Sequence, residues 1–480
     1  MINSNKKYSS LRFIPFDIGT IHMIGIGGIG MSGIAEILHN MGYKVQGSDI
    51  SENYNVKRLQ ALGIKVFIGH NKENITGASV VVKSTAVQAD NPEIIASKAE
   101  NLPIVARSEM LAELTRLKAT IAIAGSHGKT TTTSMIAHIL DFAGLSPTII
   151  NGGIINSIGS NARLGSGDWL VAEADESDGT FIKIPSTIGV ITNIDPEHMD
   201  YWGSVEKLEE GFRAFLARLP FYGFAVVNKD HSLAYKIAKS TENRKILYYS
   251  MIDKDADIYG YNLEFQEGYS LYNIDISDNL SSTNNKETYQ VKLPCFGKHN
   301  IENSLAAIAV GLSINIPIEK IIEALANFSG VKRRFTITGV TNGVTIVDDY
   351  AHHPEEIKAT LSAGKHFQHG KKGKVIAVMQ PHRYTRLNDL FSDFVNSFSS
   401  ADYVIITEMY SAGETPIENV NHHRLAEEVR KTGKQAVSLN SDSDLAKTLK
   451  DVIEQGDIVI CMGAGTITYM AAKLPQALEN

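Results

Sequence analysis

Short apolar runs alternate with amphipathic stretches along most of the chain, which is the pattern of successive β/α units. Residues 120–124 (Thr-Ile-Ala-Ile-Ala) predict a strand. Met135, Ile136, Ile139, Leu140 and Phe142 then recur on one helical face, and Gly144 is placed to end that helix. Nearer the N-terminus, 21–24 predicts a strand, about 31–40 a helix stopped by Gly42, and 43–46 a second strand. Strands at 80–84 and 104–105 and a short helix at 110–117 continue the alternation, and a first domain closes near residue 118. Strands at 169–172 and 190–193 follow. Period-two alternation over 259–291 predicts an antiparallel hairpin with a mobile turn at 277–288. An apolar helix then runs to Leu312, and Phe328-Ser329-Gly330 breaks the pattern. Beyond it, strands are expected at 344–347, 375–379, 403–407 and 458–462, each ending in polar or glycine residues. The expectation is an α/β chain of three domains, 1–118, 119–329 and 330–480, each on a mostly parallel sheet.

Two glycine turns stand between a predicted strand and a predicted helix. Gly125-Ser126-His127-Gly128-Lys129-Thr130-Thr131-Thr132 has the layout of a phosphate-binding loop. Lys129 can reach β- and γ-phosphates, and the Thr130 hydroxyl can bind Mg²⁺. The loop is short, because Ile123 stands where the common pattern has its first glycine. The other turn, Gly25-Ile26-Gly27-Gly28-Ile29-Gly30, is a full G-x-G-x-x-G, with Asp49 about 20 residues further on for a ribose hydroxyl. NAD is the default ligand for that fingerprint, but any nucleoside diphosphate conjugate satisfies the same physics.

Acids and a histidine collect at predicted strand ends: Glu173 to Glu176, and Asp195 to Asp200 with His198. They suit an Mg²⁺ shell shared with nucleotide phosphates. Asn300 and Asn303, three apart at a helix start, can present paired donors and acceptors to a base edge, and Asn300 serves equally as an N-cap. His352 and His353 are adjacent and therefore point apart; with no third ligand evident, zinc is not expected there.

Composition narrows the classes. A net charge of −7 argues against a general nucleic-acid or membrane-surface binder. The two cysteines allow no disulfide framework. The segment up to Gly19 lacks the apolar core of a signal peptide, and no run approaches the roughly 20 apolar residues of a membrane span, so a cytoplasmic protein is expected.

Several longer stretches occur in order with GSHGKTTT: GIGGIGMSGIAE, DPEHMD, FGKHNIEN, RRF, DDYAHHP, QPHRYTR and YSAGETPI. Together they resemble the Mur ligases, ATP-dependent amino-acid ligases of peptidoglycan synthesis, over nearly the whole chain. The resemblance implies a Rossmann-like first domain for a UDP-sugar, a P-loop ATPase in the middle and a Rossmann-like C-terminal domain. It turns the glycine fingerprint (Gly25, Gly27, Gly28, Gly30, with Ser32 and Asp49) toward a UDP diphosphate. It implies ATP held by Gly125 to Thr131 with Asn300 and Asn303 near adenine, and Mg²⁺ among Thr130, Glu173 and His198. Arg334 and Asp349 would reach the nucleotide, and His352, His382, Arg383 and Arg386 would lie near the incoming amino acid. The loop GIGGIGMSG looks like the branch acting on UDP-N-acetylmuramate and L-alanine, as a monomer or homodimer. A branch that adds a whole tripeptide is the alternative, and an NAD-dependent oxidoreductase or a non-catalytic nucleotide switch are rivals from other classes. His198 is left as metal ligand or base. Thr466-Ile467-Thr468 departs from the polar residue and Ile-Gly expected after the last glycine turn.

Overall fold

A computed structural model describes residues 18–84, 86–116, 118–177, 179–266, 268–280, 287–369 and 372–479. Its strands form three sheets. The first contains β1 (Thr20–Ile24), β2 (Lys44–Asp49), β3 (Lys65–Ile68), β4 (Ala78–Lys83) and β5 (Ile104–Ala106) in the order β3-β2-β1-β4-β5. All its pairs are parallel. Strand order reverses between β1 and β4, so a crevice opens at their carboxyl ends, where the turn Gly25–Gly30 lies. β2 runs three residues beyond the expected 43–46. Gly47 lets β2 pass close to the Met23 carbonyl and the Ile26 side chain.

The second sheet has ten strands: β6 (Ala119–Ala124), β7 (Thr148–Ile155), β8 (Ser160–Arg163), β9 (Trp169–Glu173), β10 (Ile188–Ile191), β11 (Phe224–Asn228), β12 (Lys245–Ser250), β13 (Ile258–Gln266), β14 (Tyr269–Ile276) and β15 (Glu287–Leu293). Their order is β15-β14-β13-β12-β11-β10-β6-β9-β7-β8, and β6, which leads into the phosphate-loop turn, is central. The pairs from β12 to β7 are parallel, and β8 closes the edge antiparallel to β7. The hairpin expected over 259–291 is instead three strands. The first reversal falls between β13 and β14, where Gly268 takes φ +85°; residues 281–286 of the expected turn lie outside the described residues. The third sheet contains β16 (Thr336–Thr341), β17 (Val344–Asp349), β18 (Val375–Met379), β19 (Tyr403–Ile406), β20 (Gln435–Ser438) and β21 (Ile458–Met462). Its order is β16-β17-β21-β18-β19-β20, parallel except for the β16–β17 edge pair.

The chain gathers into two compact units. One extends to residue 259 and includes 275–287 and 303–324; the other takes 260–274, 288–302 and 325 onward. The first unit has a continuous apolar core in which Ile34, Ile37 and Leu38 of the helix Ile29–Asn40 cluster with Ile150 and Ala162 of the second sheet. That helix approaches β8 closely because residue 33 is glycine: a Cβ there would lie 2.8 Å from Asn161 Nδ2 and 3.0 Å from Ala162 Cβ. Asn161 Nδ2 donates to the Ile29 carbonyl at 2.5 Å, and Arg58 binds Glu36, Ser160 and Asn161 across the same seam. The two glycine turns are thereby fixed on one scaffold. Among the described residues, no helix is long and apolar enough to cross a membrane.

Candidate active site

The turn 25–30 is shaped by the end of β2. The Ser48 carbonyl accepts the N–H groups of Gly25 (2.8 Å) and Ile26 (3.0 Å), and Asp49 Oδ2 accepts that of Gly27 at 2.8 Å. Asp49 is buried and braces the turn, a use of its carboxylate that the ribose expectation did not foresee. Ser32 is fully buried, with its hydroxyl donating to Ile29 O at 3.1 Å. What the turn leaves open is the helix start. Gly28 is the N-cap, no side chain caps it, and the first turn carries no acid. Such an end attracts an anion. Arg107, which the sequence reading passed over, stands beside it: a Cβ at Gly30 would lie 2.9 Å from Arg107 Nη1. Its only sequence signal is a cation at the start of a short helix, and its neighbour is long-range in the chain.

The helix Lys129–Phe142 starts the same way, from Gly128 at φ +81° with neither a capping side chain nor an acid in its first turn. Its turn is clamped by the end of β10. His127 N–H donates to Asn193 Oδ1 at 2.7 Å, and Ser126 Oγ donates to Asp195 O and accepts from Asp195 N–H. Lys129 Nζ donates to Glu176 Oε2 at 2.7 Å and to the carbonyls of Gly125 and Ser126. Burial alone would lower the Lys129 ammonium, but the carboxylates of Glu176, Asp175 and Glu173 outweigh it and hold it above the ordinary lysine value. Burial pushes Glu176 upward, with Lys129 opposing and Asp175 assisting.

The expected Mg²⁺ set divides into two clusters. Thr130 Oγ1 donates to Glu173 Oε2 at 2.9 Å, and the same oxygen accepts Gly152 N–H at 2.8 Å. His198 instead belongs with Glu176 and Glu197, whose ligand atoms all lie within 4.8 Å of one another. Glu176 Oε1 is buried without a hydrogen-bond partner, 3.8 Å from His198 Nε2. An orphaned buried carboxylate oxygen beside an imidazole is an arrangement that a divalent cation would satisfy. His198 holds φ +55°, a left-handed conformation that a non-glycine residue adopts at a cost. Asn303 lies against Gly128: a Cβ there would meet the Asn303 amide. Asn300 is buried with Nδ2 donating to Phe296 O at 2.7 Å.

In the second unit, Asp349 is a brace and not an open ligand. Its carboxylate accepts Phe335 N–H, Ala351 N–H and Thr360 Oγ1 at 2.7–3.2 Å, and burial raises it against the pull of Arg334. Arg334 is 30% exposed, with Nη1 3.9 Å from Glu356 Oε1 and its guanidinium over the Tyr350 ring. His382 stacks on Tyr410 (5.4 Å, 12°), meets the His352 ring at 5.9 Å and lies 3.4 Å from Arg386 Nη1. Burial, reinforced by His352, Arg386 and Arg383, drives His382 down to about 3. Arg383 is exposed, with φ +68°. Thus His352, His382 and Arg386 converge, joined by Tyr410, while Arg383 projects beside them.

Comparison with known proteins bears on this geometry. Three family models match in succession: the Mur ligase family catalytic domain over 20–119, the Mur ligase middle domain over 123–311, and the Mur ligase glutamate ligase domain over 333–465. A UDP-N-acetylmuramate–L-alanine ligase of Rhodospirillum centenum is 51% identical over 98% of this chain and 96% of its own. One of Azorhizobium caulinodans is 50% identical over 97% of this chain and 99% of its own. The crystal structure of UDP-N-acetylmuramate–alanine ligase from Thermotoga maritima superposes with TM-score 0.81 at 28% identity, covering 95% of this chain and 98% of that one. A murein peptide ligase of Psychrobacter arcticus shares the fold at TM-score 0.70 and 24% identity, over 96% of this chain and 99% of its own. With three domain models matched in order and half of all positions shared along almost its whole length, the chain belongs to the Mur ligase family.

Proposed function

We infer that the protein uses ATP to join L-alanine to the lactyl carboxylate of UDP-N-acetylmuramate, giving UDP-N-acetylmuramoyl-L-alanine, ADP and phosphate in cytoplasmic peptidoglycan precursor synthesis. The observation that carries this is the pair of uncapped glycine-turn helix starts on one scaffold, only one of which has a buried lysine and a hydroxyl–carboxylate pair beside it. One turn then holds a diphosphate that stays intact, and the other a phosphate that is transferred. The near-full-length relatives named for this activity support the same substrates.

A carboxylate does not acylate an amine in water, because its oxygen is a poor leaving group. Phosphoryl transfer to the lactyl carboxylate makes an acyl phosphate, and the neutral amine of alanine then displaces phosphate. Lys129 balances the charge that moves between the phosphoryl oxygens. Gly128 to Thr131 offer N–H groups to the nucleotide phosphates. Thr130 with Glu173, and Glu176 with Glu197 and His198, are the sets that would hold Mg²⁺, which when bound neutralises phosphate oxygens. Asn303, against Gly128, lies at the nucleotide end of the helix that Gly128 caps. Arg107 and the turn 25–30 hold the UDP diphosphate. His352, His382 and Arg386 receive the amino acid, whose carboxylate suits a guanidinium fork. The domains fall at 1–118, 119–329 and 330–480.

The test is ADP release by the purified protein with UDP-N-acetylmuramate and, separately, L-alanine, L-serine, glycine and the tripeptide. Release with L-alanine at least about tenfold above the other acceptors is expected. Preference for the tripeptide would reassign the protein to peptide recycling, and no release with any acceptor would end the ligase reading.

A further inference from the structure

The first domain contains a buried carboxylate for which neither ATP nor sugar chemistry has an evident use. Glu93, at the start of the helix Pro92–Ala99, is fully buried. Its Oε2 accepts Ser48 Oγ–H at 2.6 Å and faces His22 Nε2 at 3.1 Å; its Oε1 accepts Asn74 Nδ2–H at 2.6 Å and Asn71 N–H at 3.2 Å. His70 Nδ1 lies 3.6 Å away and also 3.1 Å from Ser48 Oγ. Strand β1, the end of β2 and the segment after β3 therefore meet at one anion. Burial alone would raise Glu93, but His22, Ser48 and Asn74 outweigh it, so the group is held ionised.

Ser48 gives this cluster a purpose. Its side chain is fixed by Glu93, and its carbonyl is what accepts the Gly25 and Ile26 N–H groups. Its neighbour Asp49 takes the next N–H, that of Gly27, and its carbonyl accepts Gly69 N–H. The position of the glycine turn is thus set by Ser48, whose side chain Glu93 holds from behind, and by Asp49 next to it. A hydrogen-bonded buried anion is rigid, because any shift strands its donors. We propose that Glu93 is a positioning residue for UDP-sugar binding, acting through Ser48 to hold the turn 25–30 at the distance its diphosphate ligand requires. This rests on the UDP-sugar reading given above.

The experiment compares full-length wild type, Ser48→Ala and Glu93→Gln. Ser48→Ala breaks the single link between anion and turn while leaving Glu93 its other donors, so it tests the proposal even if Glu93→Gln does not fold. Expected is a rise of about threefold or more in KM for UDP-N-acetylmuramate in each folded variant, the scale of one weakened hydrogen bond. KM for ATP and for L-alanine should stay within about twofold, well below the energy of a tenfold change. A smaller rise in Ser48→Ala, or a joint rise of all three KM values, overturns the positioning role. If wild type ligates alanine and Ser48→Ala matches it, only this proposal falls. If wild type does not respond to UDP-N-acetylmuramate, the functional reading falls and takes this one with it.

Discussion

The turns at 25–30 and 125–130 start helices alike and differ in what surrounds them. Both leave a glycine at the N-cap and no acid in the first turn. Around the first, the turn's own N–H groups are absorbed by β2, and the nearby cation is Arg107, 18% exposed in its side chain. Around the second, a 12% exposed lysine is held among three carboxylates, one of which, Glu173, also accepts the Thr130 hydroxyl. Holding a phosphate and moving one make different demands on the site. A helix end and a guanidinium beside it suffice for a charge that stays put. A charge that migrates needs a cation fixed in advance in a dry site, and fixing it takes acids that would otherwise repel the nucleotide.

The comparison can be broken most directly at Lys129. Lys129→Ala should reduce ligation at least ~10³-fold, the scale for removing a cation that stabilises a transferring phosphoryl group. Binding of UDP-N-acetylmuramate, followed by calorimetry, should persist. Turnover near wild type would show that the two turns do not differ in the way described. At the other turn, Arg107→Ala should raise KM for UDP-N-acetylmuramate about tenfold or more, as for a lost charge-assisted hydrogen bond, and leave KM for ATP unchanged. An equal rise for ATP would erase the division of labour.

A third helix start sharpens the contrast. Tyr384–Asp389 is one short helix whose first turn is satisfied by Glu414, which accepts Thr385 N–H and Oγ1–H. Its end is closed to anions, so side chains must do the binding. Arg386→Lys should therefore raise KM for L-alanine by about tenfold, because lysine keeps the charge and loses the fork; Arg383→Lys should do the same if the exposed guanidinium reaches the substrate. Values within about twofold of wild type in both would place the amino-acid site elsewhere. The smallest effect concerns His382. Its folded value is depressed to about 3, while an unfolded histidine takes up its proton near ~6.5. The unfolded state thus binds more protons between those limits. Stability is full above about 6.5 and falls as pH drops toward 3. Thermal midpoints from pH 7 to pH 4 should decline less steeply in His382→Gln than in wild type, and parallel curves would dissociate His382 from that loss.

The strands beside each glycine turn were legible because their requirements are local: an apolar run, a glycine, then a helical period. The three-sheet α/β architecture followed from the same alternation. Sites assembled across sequence were not legible in that way. Glu173 and His198 read as one metal shell, but the fold sends the first to Thr130 and the second to Glu176 and Glu197. Asp49 is expected at a ribose hydroxyl from the glycine fingerprint and Asp349 near the nucleotide from the family resemblance; in the fold Asp49 accepts the N–H of Gly27, and Asp349 those of Phe335 and Ala351. Arg107 carries only the weak signal of a cation at a helix start and Glu93 carries none, since their partners lie far off in the chain.

The left-handed backbone at His198 and Arg383 has a consequence for how this chain would evolve under heat. Each conformation costs a non-glycine residue about 1–3 kcal/mol. A library of variants screened only for surviving high temperature should accordingly accumulate glycine at these two positions, and the survivors should be robust but catalytically poor. Where such a screen leaves the native residue in place, the side chain contributes to the fold itself; where it does not, the chain has been keeping a less comfortable backbone for the sake of the reaction.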